Sequence, residues 1–231
     1  MSKTILITGA SRGIGREIAD YLAKLNHRVI ITARSAKSLK NLEQSYPDHI
    51  QSVPADLSKT EDISNLIDYL DQNNLQLHGL INNAGVLINK PFVEQTNRDW
   101  QLQIDVNLMA PVRLIRATIP YLAEGSHIVN IGSMGGYQGS SKFPGLSAYS
   151  VTKGALSVLT ECVATELSGY KISCNCLCLG AVYTEMLKEA FPGFEPPVTA
   201  SDMGTYIGEF VLKSHTFYNG KILPVALSDP E

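Results

Sequence analysis

The feature that most constrains the fold of this chain is the regular alternation of short β-branched runs with amphipathic helical stretches. The first run, Thr4–Thr8, is followed by a glycine-rich turn and then by apolar residues at helical spacing. The same pattern recurs along the chain, with strands predicted at 4–8, 29–33, 51–54, 78–83, 126–131, 171–179 and 221–225. Strands that alternate with helices indicate right-handed βαβ units, and therefore a parallel sheet covered on both faces.

The helices predicted between these strands complete the architecture. Thr60 is expected to cap the third helix, and two longer helices are expected at 97–118 and 147–167. No linker or repeat divides the chain, and 231 residues suit one domain with a sizeable core. We therefore predict an α/β fold in a single domain over 1–231, with a Rossmann-type, doubly wound, seven-stranded parallel sheet.

Composition and charge exclude several classes of partner. The net charge is −3, with 18% charged and 44% hydrophobic residues, so nothing indicates nucleic acid or an anionic membrane surface as a partner. No stretch approaches the about 18 apolar residues of a membrane span. The chain also runs directly into its first strand without a signal-like leader. We expect a cytoplasmic protein.

Three of the four cysteines, Cys174, Cys176 and Cys178, alternate within one predicted strand and therefore point to one face. A triplet of this kind can suggest a metal. However, no fourth ligand stands at a useful spacing, and zinc sites usually pair cysteines two to four residues apart. We predict small core residues of a reduced protein, and no metal site.

The turn between the first strand and the first helix reads Thr-Gly-Ala-Ser-Arg-Gly-Ile-Gly over 8–15. Gly9, Gly13 and Gly15 let the backbone turn tightly and approach a ligand, and the helix N-terminus behind them favours an anion such as a pyrophosphate. The spacing differs from the G-x-G-x-x-G of many dinucleotide sites, and loops collect glycine without any ligand. The position after the first strand nevertheless favours a nucleotide.

The end of the second strand bears on which dinucleotide binds. NAD sites often place an acid there to accept hydrogen bonds from the adenosine ribose, but this strand ends Thr32-Ala33-Arg34. Arg34 is a bidentate phosphate partner, and Arg12 in the glycine-rich turn could reach the same group. Two solvated arginines are the alternative. The pair favours a 2′-phosphate and hence NADP(H).

Tyr149 and Lys153 stand four residues apart on one predicted helix, so their side chains share a face. A tyrosine with a pKa near 10 exchanges protons poorly at neutral pH. A nearby ammonium lowers that pKa and makes the phenol a usable acid or base. The same spacing also occurs by chance in many helices.

Several motifs that stand in family order give the chain a resemblance to the short-chain dehydrogenase/reductase family, in its classical, single-domain form. The resemblance covers nearly the whole chain. The matching segments are Thr8-Gly-Ala-Ser-Arg-Gly-Ile-Gly15, Asp56-Leu57, Asn82-Asn-Ala-Gly85, Asn107, Ser133 and Tyr149-Ser-Val-Thr-Lys153. It implies an oxidoreductase that uses a nicotinamide dinucleotide to interconvert a carbonyl and an alcohol.

The resemblance implies four catalytic residues. Tyr149 would give a proton to the oxyanion that develops as a carbonyl is reduced, and Ser133 would hydrogen-bond that oxygen. Lys153 would assist Tyr149 and hold the nicotinamide ribose. Asn107 would hold a water that links Lys153 to solvent; an ordinary buried amide is the alternative.

The resemblance also implies cofactor contacts along the ends of several strands. Asp56 and Leu57 would bracket the adenine, unless they are only a loop carboxylate and a core leucine. The implied cofactor-binding residues are Gly9, Ser11, Arg12, Gly13, Ile14, Gly15, Arg34, Asp56, Leu57, Asn83, Ala84, Gly85, Tyr149, Lys153, Gly180, Val182 and Thr184.

The chain departs from the family pattern in three places. Ser133 and Tyr149 are sixteen residues apart, slightly more than usual, and the extra length in 134–146 is expected to reshape the substrate mouth. Leu179 replaces the proline that commonly precedes the glycine after the sixth strand. Ala226-Leu227 replaces the glycine pair that is usual after the last strand.

The substrate is the least readable feature. A substrate loop is expected at about 181–200. Apolar side chains could line a pocket there or simply pack the loops: Tyr137, Phe143, Met186, Leu187, Phe191 and Phe194. An apolar ketone, a 3-oxoacyl thioester and a quinone-like carbonyl all stay open.

These observations favour an NADPH-dependent carbonyl reductase, with a 3-oxoacyl thioester reductase as its most specific subtype. One alternative is an alcohol dehydrogenase that runs in the oxidative direction. Another is an NADP(H)-sensing protein without turnover, which predicts a damaged Ser/Tyr/Lys set, whereas here the set is intact.

The resemblance further implies a homodimer or homotetramer, built by pairing the helices at 97–118 and 147–167 across subunits. Apolar surface for this pairing would come from Val151, Ala155, Val158, Leu159 and Cys162.

Overall fold

Seven short strands form one parallel sheet in the computed structural model, which describes residues 2–227. Their bounds are β1 Thr4–Thr8, β2 Arg28–Thr32, β3 Ile50–Ser52, β4 Leu77–Asn82, β5 Leu122–Ser133, β6 Ser173–Leu179 and β7 Ile222–Val225. The strand order is β3-β2-β1-β4-β5-β6-β7, and each neighbouring pair is parallel. The predicted doubly wound, Rossmann-type sheet is therefore confirmed.

The helices fall between the strands, as the alternation predicts. Their bounds are α1 Gly13–Lys24, α2 Ala36–Ser45, α3 Thr60–Gln72, α4 Asn97–Ile104, α5 Ala110–Thr118, α6 Ser147–Glu166, α7 Glu185–Ala190 and α8 Ala200–Lys213. A π-helical segment, Asp105–Met109, joins α4 to α5 and so interrupts the single helix predicted there.

The predicted cap of α3 is wrong. Lys59 occupies the capping position without a side-chain hydrogen bond, and Thr60 is already the first helical residue. Two carboxylates, Glu61 and Asp62, stand in the first turn instead. Their negative charges interact favourably with the positive N-terminal end of the helix dipole. This interaction stabilises the helix terminus without a hydroxyl cap.

Alternate strand residues supply the two halves of the core. In β1, Ile5 and Ile7 pack beneath α1 and α8, whereas Leu6 packs on the opposite face beneath α3, α5 and α6. Both faces are therefore closed to water. No helix among residues 2–227 is both long and apolar enough to cross a membrane.

The cysteines of β6 lie where the alternation places them. Cys174, Cys176 and Cys178 are fully buried beneath α6, and Ser157 of that helix lies 3.8 Å from the sulfurs of both Cys176 and Cys178. Their interpretation as core residues is confirmed. All four cysteines are free of disulfides.

The direction of the strands decides where the site lies. Because every strand runs the same way, the loops that follow β1, β2, β4, β5 and β6 emerge at one edge of the sheet. The strand order reverses between β1 and β4, which opens a crevice at that edge. The motifs singled out in the sequence all follow strands that end there, except those carried by the two long helices.

Candidate active site

The glycine-rich turn is held against the end of β4 by Thr8. The Thr8 hydroxyl oxygen accepts hydrogen bonds from the amides of Asn83, at 3.0 Å, and Ala84, at 2.9 Å. The Asn83 side-chain amide donates back to the carbonyl oxygens of Thr8, at 2.9 Å, and Gly9, at 3.2 Å. These four bonds join the loops after β1 and β4 into one rigid wall.

Two glycines in this wall are required by its close packing. Gly9 has φ +69°, and a Cβ atom there would lie 2.8 Å from Ala84 Cα. A Cβ on Gly15 would collide with the side-chain nitrogen of Asn83. A side chain at either position would force the two loops apart. The glycines therefore let the two backbones pack closely together, in addition to allowing the chain to turn.

The N-terminus of α1 opens into the crevice. Arg12 stands at its capping position without a side-chain cap, and its first turn carries no acid. The first turn therefore supplies no carboxylate of its own to the leading N–H groups, and such a helix N-terminus suits an anionic ligand such as a pyrophosphate.

Four charged side chains surround the outer part of the crevice. Arg12 and Arg34 both line a cavity of about 230 Å³ together with Gly85. Burial of the Asp56 carboxyl acts to raise its pKa. Hydrogen bonds from Ser58 and the nearby Arg34 guanidinium outweigh that effect and hold the pKa below its usual value. Arg12 also forms an ion pair with Glu189 at 2.9 Å, a contact that the sequence did not predict.

Ser133, Tyr149 and Lys153 come together at the inner end of the crevice. Ser133 ends β5, and its hydroxyl oxygen accepts a hydrogen bond from the Gly135 amide at 3.1 Å. Tyr149 and Lys153 share one face of α6, with the lysine nitrogen 5.8 Å from the centre of the tyrosine ring. The Lys153 ammonium donates to the Ile131 carbonyl oxygen at 2.7 Å.

Burial dominates the protonation of this cluster. It raises the pKa of Tyr149 to about 12, against a smaller lowering by the Ser133 hydroxyl. It also lowers the pKa of Lys153 to about 8, against the thiols of Cys176 and Cys178. In both residues the low-polarity surroundings penalise the charged form. The expected lowering of the Tyr149 pKa by Lys153 is therefore wrong, because burial outweighs it, and at neutral pH the phenol keeps its proton.

Asn107 lies in the π-helical segment, fully buried. Its side chain pairs with the Val86 backbone, accepting from the Val86 amide at 2.8 Å and donating to the Val86 carbonyl at 2.9 Å. It also donates to the Thr152 hydroxyl at 3.1 Å. The side chain thus ties the loop after β4 to α6, next to Lys153.

Two predicted cofactor residues turn away from the crevice. The Val182 side chain is buried in the core beneath α1 and α8, and Leu57 is buried on the opposite face. Only their backbones can face a ligand. Thr184 caps α7 by accepting from the Leu187 amide at 3.3 Å. A Cβ on Gly180 would lie 2.8 Å from the side chain of Ala226, so Gly180 permits close packing after β6.

The extended 134–146 segment closes one side of the mouth. Lys90 of the loop after β4 donates its amide to the Gly145 carbonyl at 3.0 Å, and the Gln95 side chain donates to the same oxygen at 3.1 Å. Tyr137 packs against Met134 and the β6 cysteines. Of the apolar residues considered for a substrate pocket, Met186 lines the cavity, whereas Phe194 is exposed.

Sequence reasoning assigned no role of their own to three contributors to this site: Thr8, Thr152 and Glu189. A polar residue at the end of an otherwise apolar strand was a usable signal for Thr8. The partners of Thr152 and Glu189 lie 45 and 177 residues away, so no local pattern identifies them.

The residues present fit a nicotinamide dinucleotide. The open space beside Gly85 is bordered by catalytic candidates, because a Cβ there would lie 3.4 Å from Asn107 Oδ1 and 3.6 Å from Lys153 Nζ. The crevice thus runs from two arginines, past the N-terminus of α1, to a buried phenol and ammonium. This order of groups along the crevice suits the parts of the dinucleotide in turn: an end that carries a phosphate, the pyrophosphate, and the reacting nicotinamide end.

Known proteins of similar sequence and structure agree with this geometry. The family model for short chain dehydrogenases matches residues 3–194. An uncharacterised oxidoreductase of Staphylococcus saprophyticus is 33% identical over 190 residues, covering 80% of this chain and 76% of that protein. The 3-oxoacyl-[acyl-carrier-protein] reductase of Homo sapiens is 29% identical, covering 82% of this chain and 79% of that protein.

A solved structure shares the whole architecture. The 3-ketoacyl-(acyl-carrier-protein) reductase of Brucella melitensis, in complex with NADH, superposes with a TM-score of 0.88 at 26% identity, over 97% of this chain and 96% of that one. Family model, relatives and fold agree. The chain therefore belongs to the short-chain dehydrogenase family, as an oxidoreductase acting on the CH–OH/C=O pair.

Proposed function

We propose that this protein is an NADPH-dependent reductase of a carbonyl substrate, with Asn107, Ser133, Tyr149 and Lys153 as its catalytic set. The observation that carries the proposal is the meeting of Tyr149, Lys153 and Ser133 beside the open space at Gly85. The bound cofactor supplies or accepts the hydride; the protein supplies orientation and proton transfer.

Each residue has a distinct part in that reaction. Tyr149, protonated at neutral pH, donates its proton to the oxygen of the carbonyl as negative charge develops. Ser133 donates a hydrogen bond to the same oxygen, a contact that strengthens in the transition state. Lys153 stabilises the phenolate that remains and holds the nicotinamide ribose. Asn107 keeps the loop after β4 against α6 and borders the path by which Lys153 regains protons.

The preference for NADP(H) over NAD(H) rests on Arg12 and Arg34. Both line the cavity at the outer end of the crevice, and a guanidinium binds phosphate bidentately. The remaining cofactor contacts come from the glycine-rich turn, from Asp56 and Leu57, from Asn83, Ala84 and Gly85, and from the backbone of Gly180, Val182 and Thr184.

A 3-oxoacyl thioester is the substrate class we favour. It agrees with the activity named for the bovine and human relatives. Met186 lines the cavity and the adjacent Leu187 is half-buried, and we propose both as apolar contacts for an acyl chain. The neighbouring structure of a putative gluconate dehydrogenase from Agrobacterium tumefaciens, 27% identical with a TM-score of 0.86, favours the oxidative direction on an alcohol as the second candidate.

We further propose a homodimer or homotetramer in the cytoplasm. Val151 and Val158 of α6 and Leu102 of α4 are large apolar side chains that stay 56%, 59% and 42% exposed, which suits a helix-to-helix subunit contact. The four free cysteines suit a reducing compartment.

The test begins with NADPH and NADH binding by calorimetry, followed by NADPH oxidation with 3-oxoacyl thioesters, ketones and quinones. We expect NADPH to bind more tightly than NADH, and 3-oxoacyl thioesters to turn over. Arg34→Asp should lower NADPH affinity about tenfold or more, because a charge-assisted phosphate contact is lost. Lys37→Asp, a charge reversal at an exposed site outside the cavity lining, is the matched control.

Two results would count against the proposal. Equal affinity for both cofactors, unchanged by Arg34→Asp, would remove the 2′-phosphate site. Tight NADPH binding without turnover of any carbonyl class would favour a sensing protein instead.

A further inference from the structure

The segment between β6 and α8 forms a flap with a closed neck. The Tyr183 amide donates to the Val198 carbonyl at 2.8 Å, and Tyr183 also pairs with Thr199 across a short parallel bridge. Residues 184–198, which we call the flap, therefore leave and rejoin the body of the protein at one place. Their position over the crevice depends on contacts made beyond that neck.

Two contacts hold the C-terminal end of α7 down across the crevice. Glu189 accepts an ion-paired hydrogen bond from the Arg12 guanidinium at 2.9 Å. The Asn89 side chain donates to the Ala190 carbonyl at 2.9 Å. One contact thus joins the flap to the glycine-rich turn, and the other joins it to the loop after β4.

The Arg12–Glu189 ion pair is one that a competing anion can break. Its side chains are 53% and 65% exposed, and an exposed pair is only weakly stabilising because water competes for both ions. A phosphate dianion carries more charge than a carboxylate and can engage the same guanidinium through two parallel hydrogen bonds. Glu189 therefore occupies Arg12 in a form that a phosphate can displace.

The space beneath the flap is small. The cavity lined by Arg12, Arg34, Met186 and Glu189 measures about 230 Å³. A 2′-phosphate that enters this space to reach Arg12 therefore meets the Glu189 carboxylate, which already occupies the guanidinium.

We infer that Glu189 is a specificity-determining residue, which competes with the 2′-phosphate of NADP(H) for Arg12 and thereby couples release of the flap to that phosphate. The inference rests on the NADP(H) preference proposed above. NAD(H) has no group to displace Glu189, so its binding leaves the Arg12–Glu189 pair intact. The same pair opposes NADP(H) binding, since part of the phosphate's interaction with Arg12 replaces an existing contact.

The first experiment compares Glu189→Gln with Glu195→Gln. Glu195 is an exposed carboxylate on the same flap that approaches the Tyr183 hydroxyl, at 3.5 Å, rather than Arg12. Calorimetric titrations use NADPH, NADH and 2′,5′-ADP, which carries the 2′-phosphate without the nicotinamide. Glu189→Gln should tighten NADPH and 2′,5′-ADP binding about two- to fivefold and leave NADH affinity unchanged. Glu195→Gln should change none of the three.

A double-mutant cycle separates competition at Arg12 from general charge repulsion. If Glu189 acts by occupying Arg12, the gain from Glu189→Gln disappears in an Arg12→Gln background. A gain that persists in that background overturns the inference, because it shows that removing any flap carboxylate helps an anionic ligand.

Hydrogen exchange measures the flap itself. In the wild-type protein, 2′,5′-ADP should increase amide exchange over residues 184–198, whereas 5′-ADP should not. Glu189→Gln should show the faster exchange without ligand. If the protein prefers NADPH but Glu189→Gln and Glu195→Gln show the same ligand affinities and amide exchange, the inference about Glu189 is overturned and the NADP(H) proposal stands. Absence of 2′,5′-ADP binding and of NADPH preference overturns the NADP(H) proposal as well.

Discussion

Tyr149 shows how a single residue's surroundings can favour one role over another. The pKa of its phenol rises to about 12 through burial, and the Lys153 nitrogen stands 5.8 Å from the ring centre rather than on the hydroxyl. A phenol with a high pKa is almost fully protonated at neutral pH, so it can act as a proton donor, whereas the phenolate needed for a base is scarcely populated. A cationic lysine nearby then stabilises the phenolate once the proton has left. The residue therefore suits reduction of a carbonyl.

We predict that Tyr149→Phe lowers kcat at least about a hundredfold, the scale of a lost general acid. NADPH affinity should change little, because the ring and Lys153 remain. Stopped-flow turnover together with calorimetric NADPH binding checks both expectations. Loss of binding and turnover together, in a folded variant, would assign Tyr149 to cofactor binding instead.

At the scale of elements, the wall between the loops after β1 and β4 depends on backbone contact. Gly9 has a left-handed φ of +69°, and a Cβ added there would lie 2.8 Å from Ala84 Cα, whereas Gly125 has φ +78° with nothing within 4 Å of an added Cβ. Both glycines have a left-handed backbone in which an alanine would be strained, but only Gly9 has close neighbours at the position of an added Cβ. Comparing them isolates what close approach contributes.

We predict that Gly125→Ala lowers the free energy of unfolding by about 1–2 kcal/mol, the cost of a left-handed alanine. Gly9→Ala should cost more than Gly125→Ala, since the loops must also separate, and should weaken NADPH binding. Urea unfolding and calorimetry measure the two effects. Equal destabilisation of the two variants would show that separating the two loops has no measurable effect on the free energy of unfolding.

At the scale of the whole molecule, a histidine far from the crevice makes the fold sensitive to acid. His127 in β5 is fully buried, and burial lowers its pKa to about 3. Its Nδ1–H donates to the Val211 carbonyl at 3.3 Å, and its Nε2 accepts from the Asn175 amide at 2.9 Å. That amide also donates to the Tyr218 carbonyl at 2.9 Å, so it cannot turn over without losing this bond. A protonated ring would therefore face a donor.

We predict that stability falls as the pH drops below about 6.5, the unfolded-state pKa of histidine. Between that value and the folded pKa of about 3, the unfolded chain binds a proton that folded His127 does not. The expected loss from this residue is about 2 kcal/mol at pH 5. Urea unfolding at pH 5 and pH 7 should therefore show a weaker pH dependence in His127→Gln, whose amide can make both hydrogen bonds. His49→Gln, outside this contact set, should keep the wild-type dependence.

The sequence by itself determined the sheet, its parallel sense and the edge at which the site lies. Hydrophobic periodicity is local, and right-handed crossovers leave few ways to assemble the alternating elements. The ends of elements were less certain: β5 begins at Leu122 rather than Ser126 because Leu122 pairs with Leu77 of β4. The break at Asp105–Met109 did have a local signal, because Pro111 cannot donate to the carbonyl four residues earlier, at Asn107, and so disfavours a regular helix there.

Only the tertiary structure decided the contacts between distant segments. Arg12 meets Glu189 across 177 residues, and His127 meets Asn175 across 48. Nothing in the spacing of a sequence specifies such pairs, because they depend on which loops the folded sheet brings to one edge. Burial decided the protonation of Tyr149 and Lys153 in the same way, since the penalty on a charge depends on the surrounding packing and not on neighbours in sequence.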